Sequence, residues 1–326
     1  MTKAIQIKKV GDPSVMEWSD VPFKKDGPKK GEVRIKNTAI GVNFIDTYHR
    51  SGVYPVALPC VLGLEGVGII EKVGDVGGQF NVGDRVGYAS APLGAYSETR
   101  DYPSDKIFKI PDFIKSEEAA AILLKGMTVE YLFNRVYKLK KGEFFLFHAA
   151  AGGVGLVACQ WARAVGARMI GTVGNKEKGL LAKEYGCEHV INYNEEDVVS
   201  RVMDITEGSG VPVVYDGVGK NTFEITLACL DDFGLFVSFG QSSGMIGAVN
   251  LHSVFAPKNL FYTRPSLLVY NKTQKDIERS SGLLFGMIKD KKIKIYINKK
   301  YDLKNAREAH IDLQARKTVG SLILIP

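Results

Sequence analysis

The stretch Phe144-Phe145-Leu146-Phe147-His148-Ala149-Ala150-Ala151-Gly152-Gly153-Val154-Gly155 constrains the fold more than any other part of the chain. Its apolar run is too short for a helix and ends in small residues. Beyond it Leu156, Cys159, Trp161, Ala162 and Val165 recur at helical spacing. Strand, glycine turn and helix in that order make the first βα unit of a dinucleotide-binding domain. The G-x-G-x-x-G spacing reads Ala150-x-Gly152-x-x-Gly155, with alanine at the tight-turn position. Gly152 lets the backbone approach a pyrophosphate and Gly155 lets helix and strand pack closely. The exposed N–H groups and positive end of the helix then favour the phosphates.

The flanking pattern places this unit inside a larger plan. From 126 to 265, strand and helix signals alternate: a helix over 128–137, the strand at 144–148 and the helix at 156–165. Strands follow at 168–173, 189–192, 211–216 and 235–239, with helices at 178–185, 195–206 and 221–230 between them. Such alternation predicts a doubly wound parallel sheet. Residues 1–125 are β-rich, with strands at 4–7, 33–36, 67–74 and 83–87. Glycine density over 63–94 predicts a tightly wound small barrel. Ser116, followed by Glu117 and Glu118, reads as an N-cap. Residues 266–326 turn mixed again, with a helix at 274–290, a helix at 303–315 and a last strand at 321–325. The expected topology is a continuous cofactor domain inserted into a second domain that the tail returns to complete.

Simple chemistry narrows the functional classes. The formal net charge of +7 suits an anionic ligand and is too diffuse to argue a nucleic-acid groove by itself. Its one cluster, Lys289 to Lys300, alternates Ile293, Ile295 and Ile297 with Lys292, Lys294 and Tyr296, which predicts a strand with a basic solvated face. Cys60, Cys159, Cys187 and Cys229 lack C-x-x-C spacing and read as reduced, packed thiols. Met1–Ile7 shows no leader pattern and no apolar run reaches spanning length, so a cytoplasmic protein is expected. The histidines form no H-x-x-x-H pair, and no G-x-S-x-G elbow occurs. His148 reads as a satisfied core histidine, and Cys159 as a packing residue on the inner face of its helix.

Together, Gly63-Leu64-Glu65-Gly66-Val67-Gly68, Gly83-Asp84-Arg85-Val86 and the run Ala149 to Gly155 resemble the medium-chain dehydrogenase/reductase superfamily. Asn43-Phe44-Ile45-Asp46-Thr47-Tyr48, Phe147 to Gln160, Val237-Ser238-Phe239-Gly240 and Thr263-Arg264-Pro265-Ser266-Leu267 are similar to its NADPH:quinone oxidoreductase, zeta-crystallin-like branch. The resemblance spans essentially the whole chain and implies an α/β fold, a Rossmann domain with a GroES-like barrel domain. Zinc-dependent members carry a cysteine where this chain has Asn43 and a histidine where it has Leu64, and a four-cysteine zinc lobe has no counterpart here. Zinc chemistry is therefore not expected. Glu65 remains, and reads as a buried, hydrogen-bonded structural group.

An NAD-preferring site carries an acid at the end of the second strand. This chain has Gly174 there, leaving room for a 2′-phosphate, and then Asn175, Lys176 and Lys178. The resemblance implies that Lys178, Tyr193 and Arg316 bind that phosphate. It also places Asn43, Phe44, Ile45, Asp46, Thr47, Tyr48, Tyr131, Gly153, Val154, Gly217, Phe239, Gly240, Gln241, Ser242 and Ser266 around NADP(H) in an interdomain cleft. Asn43, Tyr48 and Tyr54 are the substrate-side candidates, where a flat quinone would stack; for Tyr54 a loop-packing role stays equally open. The activity implied is zinc-independent reduction of quinones by NADPH. Alternatives are reduction of α,β-unsaturated carbonyls, or a nucleic-acid-binding or structural relative. A homodimer through the sheet edge near 249–269 is also implied.

Overall fold

The apolar runs of the middle of the chain become six parallel strands: Phe144–Phe147, Arg168–Val173, His189–Asn192, Val211–Asp216, Leu230–Ser238 and Phe261–Thr263. In chain order they lie third, second, first, fourth, fifth, sixth across the sheet, so the order reverses between first and fourth. Leu146, Ile170, Ile191, Val214 and Phe236 share one buried cluster with Val198, Val202 and Phe223 from the helices. The helix Gly153–Val165 starts behind Gly152. A Cβ on Gly155 would lie 2.4 Å from the carbonyl oxygens of Ala149 and Ala150, so close helix–strand packing requires glycine there. The left-handed residue of the turn is Ala149, at φ 60°, one position before the alanine that the spacing assigns. A left-handed alanine costs roughly 1–2 kcal/mol. Thr172 holds it: the Ala149 N–H donates to the threonine hydroxyl at 3.3 Å, and the Ala150 N–H to its carbonyl at 3.0 Å.

The computed structural model describes residues 1–22 and 27–326, which divide into two units. One comprises Met1–Met127, Asn271–Lys289 and Ile295–Pro326; the other comprises Thr128–Tyr270 and Asp290–Lys294. In the first, the long strand Glu32–Val42 pairs antiparallel with Glu65–Val73, Thr99–Pro103 and Ser321–Ile325. A three-stranded sheet centres on Thr2–Ile7. Tyr301, Leu322 and Leu324 from the tail join Ile5, Val33, Ile35 and Val86 in one buried cluster, which is why the C-terminal strand must return. Among the described residues no helix is long and apolar enough to cross a membrane.

Three local expectations need correction. The helices expected at 116–123 and 128–137 are one helix, Ser116–Tyr131, running into a π-helical turn at Leu132–Val136. Ser116 is its first helical residue rather than the cap. The Glu118 carboxylate instead reaches back to accept from the Lys115 N–H at 3.0 Å. The alternating segment 289–300 is a strand only from Ile297, in Ile297–Asp302. Upstream, the backbone of Lys294 is bonded at both ends to Gln160, N–H to Oε1 at 2.7 Å and carbonyl from Nε2 at 3.1 Å. A side-chain amide thus takes the place of a neighbouring strand, and Asp290–Lys294 belongs with the second unit rather than the returning tail.

Candidate active site

Asn43 ends the long strand region and precedes the helix Phe44–Ser51, which the sequence reading did not identify. The signal for it is the spacing Asn43-x-x-Asp46. The Asp46 carboxylate accepts from the Asn43 N–H at 2.9 Å, the return half of a capping box. The Asn43 side-chain amide donates to Glu65 Oε2 at 2.8 Å. Glu65 is fully buried and also takes the Leu124 N–H on Oε1 at 2.7 Å and the Lys125 ammonium on Oε2 at 3.3 Å. The expected structural role of Glu65 therefore holds, but with a partner that sequence reasoning missed. Lys125 has a side chain only 6% exposed, and an ammonium so buried requires a counter-charge.

At Asn43 and Leu64, where the resemblance puts the cysteine and histidine of zinc-dependent members, this chain sets an amide and a leucine. Leu64 is packed away at 2% exposure. Among the described residues no group of three His, Cys, Asp or Glu side chains could hold a metal ion. Tyr48 is buried and meets Tyr54 edge-on, with ring centroids 5.3 Å apart, and Phe44 at 6.4 Å. Thr47 turns its hydroxyl back to the Phe44 carbonyl at 2.7 Å. Ile45 is half-buried on the same helix.

In the second unit the expected cofactor residues gather at the carboxyl ends of the strands. Gly153 and Val154 follow the first strand, Gly174 and Asn175 the second, Tyr193 the third and Gly217 the fourth. Phe239, Gly240, Gln241 and Ser242 follow the fifth, and Ser266 the sixth. That edge, at the reversal of strand order, is where open α/β sheets bind nucleotides. A Cβ on Gly174 would lie 2.6 Å from the Tyr193 hydroxyl, so the position of the missing acid is occupied by a phenol instead. Asn175 caps the helix Lys176–Glu184 by accepting from the Lys178 N–H at 2.9 Å. Asp216, fully buried, gathers the Val218 and Gly219 N–H groups at 2.6 and 3.1 Å and the Thr222 hydroxyl at 2.7 Å. Its role in shaping the loop that carries Gly217 was not foreseen. Tyr131 stacks on Tyr270 at 4.8 Å. Arg316 belongs to the first unit, at φ 56° just past the helix Ala306–Gln314.

His148 is a core residue as expected: it is 2% exposed, with Nδ1 3.0 Å from the Thr172 hydroxyl and Nε2 3.1 Å from that of Thr226. Burial pushes its pKa down against the pull of Asp216. Cys159 is buried too, and that burial raises its thiol well above the ordinary range, so it packs rather than reacts.

A nucleotide-type parallel sheet, a second and mostly antiparallel unit, and a buried amide–carboxylate–ammonium set at Asn43, Glu65 and Lys125 fit the medium-chain dehydrogenase/reductase class. Residues 29–112 match the alcohol dehydrogenase GroES-like domain and residues 153–279 the zinc-binding dehydrogenase family. Over 327 residues and all of both chains, the sequence is 48% identical to a quinone oxidoreductase of Pseudomonas aeruginosa. The chain belongs to the NADPH:quinone oxidoreductase family. It is also similar to the crystal structure of Escherichia coli quinone oxidoreductase complexed with NADPH, at a TM-score of 0.96 and 48% identity, covering 99% of this chain and all of that one. A 2-haloacrylate reductase from Burkholderia is 40% identical over 100% of this chain and 99% of its own length.

Proposed function

We infer that the chain is an NADPH-dependent quinone reductase that works without zinc. The observation that carries this reading is the Asn43–Glu65–Lys125 set, standing in a chain 48% identical to quinone oxidoreductases throughout. The nucleotide group fits the residues present. Gly152 opens the helix start to a pyrophosphate, and Asn175, Lys178 and Tyr193 offer donors for a 2′-phosphate at the end of the second and third strands. NADPH, when bound, supplies a hydride. The chain's part is to orient and to exclude water. Tyr48 and Tyr54 present the aromatic surface for a flat acceptor, and Glu65 fixes the Asn43 side-chain amide. The 40% identity to a 2-haloacrylate reductase supports a second reading, reduction of an α,β-unsaturated carboxylate. A quinone is itself a conjugated enone, so one site could serve either.

The test is initial-rate NADPH oxidation with ortho- and para-quinones, enals, 2-haloacrylates and alcohols, each with and without a chelator. Quinones should be fastest and the chelator without effect. A 2-haloacrylate turned over faster than every quinone would favour the second reading, and loss of activity on chelation would overturn the zinc-free one. A second copy is proposed to pair through the sixth strand, whose outer edge carries Phe261 and Tyr262 at 60% and 46% exposure, beside Leu251 and Val269 at 68% and 71%. Light scattering at micromolar concentration should report a dimer. Four unpaired cysteines suit the reducing cytoplasm proposed as its location.

A further inference from the structure

Asp46 ends a chain of buried hydrogen bonds that the chemistry above leaves unused. Its Oδ2 accepts from the Asn43 N–H at 2.9 Å and from the Tyr96 hydroxyl at 3.0 Å. The Tyr96 oxygen lies 3.0 Å from His310 Nε2, and His310 Nδ1 lies 3.1 Å from Arg50 Nη1. Arg50 also donates to Gln314 Oε1 at 3.0 Å and to the Gly11 carbonyl at 3.1 Å. Asp46, Tyr96 and His310 are wholly buried, and Arg50 is 2% exposed.

The donor inventory gives the chain a direction. A guanidinium can only donate, so His310 Nδ1 must accept. Burial and the Arg50 charge keep the imidazole neutral, with its pKa down at about 3. Its one proton is therefore on Nε2 and is donated to Tyr96, whose own hydrogen is left for Asp46. Every hydrogen points from Arg50 toward Asp46. Reversing any one bond would set two buried donors or two buried acceptors face to face.

We propose that His310, acting through Tyr96 and Asp46, is a positioning residue that sets Asn43 for the reaction. Asn43 is gripped twice, by Asp46 on its backbone N–H and by Glu65 on its side-chain amide. The two grips differ. Glu65 answers a cation, Lys125, whereas Asp46 has hydrogen bonds on one oxygen only and none on Oδ1. Burial lifts the Asp46 carboxyl to about 7. The Glu65 charge pushes the same way, while the Asn43 N–H, the Tyr96 hydroxyl and Lys125 pull it down. The Tyr96 hydroxyl thus favours the ionised form, the better acceptor for Asn43. The tail of the chain, through His310, reaches the substrate-side residue along a path with no free donor to slip.

The kinetic part of this proposal rests on the quinone-reductase reading; the tautomer does not. In protein labelled with nitrogen-15 at histidine, nuclear magnetic resonance should show one ring fixed as the Nε2–H tautomer from pH 5 to 8. That signal should vanish in His310→Gln and shift in Tyr96→Phe. In quinone reduction, Tyr96→Phe and His310→Leu should each lower kcat about tenfold, with the NADPH Kd changed less than about threefold. His310→Gln, whose amide can both accept from Arg50 and donate to Tyr96, should recover most of the rate. Tyr96→Phe is isosteric and guards against a fold defect in His310→Leu. A His310 ring protonated on Nδ1 or titrating between pH 5 and 8 would overturn the proposal. So would wild-type kcat in Tyr96→Phe, or equal damage from Gln and Leu at His310. A wild-type protein that reduces no quinone would sink the functional reading and leave the tautomer test standing.

Discussion

The two candidate regions of this molecule are built on opposite principles. The nucleotide edge of the second unit is made of turns: Gly152, Gly174, Gly217 and Gly240 follow strand ends, and its bonds are short-range, such as Asn175 to the Lys178 N–H or Asp216 to Val218. The Asn43 region of the first unit is made of buried side chains brought together from far apart. Asn43 meets Glu65, Glu65 meets Lys125, and Asp46 is linked through Tyr96 to His310. The first kind of site exposes backbone and costs little to form. The second removes two full charges from water and depends on every partner staying in place.

The largest effect expected from that difference is on stability. Glu65→Ala leaves Lys125 buried without its counter-charge and the Asn43 side-chain amide without its carboxylate acceptor. It should cost about 3–5 kcal/mol, read by urea unfolding. A loss under about 1 kcal/mol would mean that the pair behaves like a surface one.

Next is the pH dependence of stability, where the buried chain carries two opposed groups. His310 at about 3 against an ordinary 6.5 binds fewer protons folded than unfolded, so its contribution is present above about 6.5 and lost as pH falls toward 3. Asp46 at about 7 against 3.8 keeps a proton that the unfolded chain releases, so its contribution is present below 3.8 and lost as pH rises to about 7. Each slope is about 1.4 kcal/mol per pH unit where one proton separates the states. In the wild type they largely cancel between pH 4.5 and 6. His310→Gln should make stability fall with rising pH across that window, and Asp46→Asn should make it rise. Parallel curves for all three proteins would break the account.

On the nucleotide edge the effects should be on binding and smaller. Lys178→Ala should weaken NADPH about 10- to 100-fold, the worth of one charge-assisted phosphate contact, and leave NADH nearly unchanged. Equal loss for both cofactors in a fluorescence titration would remove Lys178 from the phosphate site. Smallest is Asn175→Ala, which deletes a helix cap in the same loop and should cost about 1 kcal/mol in thermal unfolding.

The sequence alone was enough for the parts governed by short-range rules. Strand, small-residue turn and helix at 144–165 are legible because periodicity and glycine placement act over a few residues. Gly174 in place of an acid is legible for the same reason, and so is the lack of thiolate and imidazole at Asn43 and Leu64. The limits of that reasoning show at Lys289–Lys300, where alternation suggests a strand. Gln160, over a hundred residues earlier, takes the backbone of Lys294 instead. Nothing local to Lys125 marks it as buried, and nothing near His310 ties it to Asp46. Those pairings arise only when distant segments close around one core, since a buried charge or donor is defined by what surrounds it and not by its neighbours in the chain.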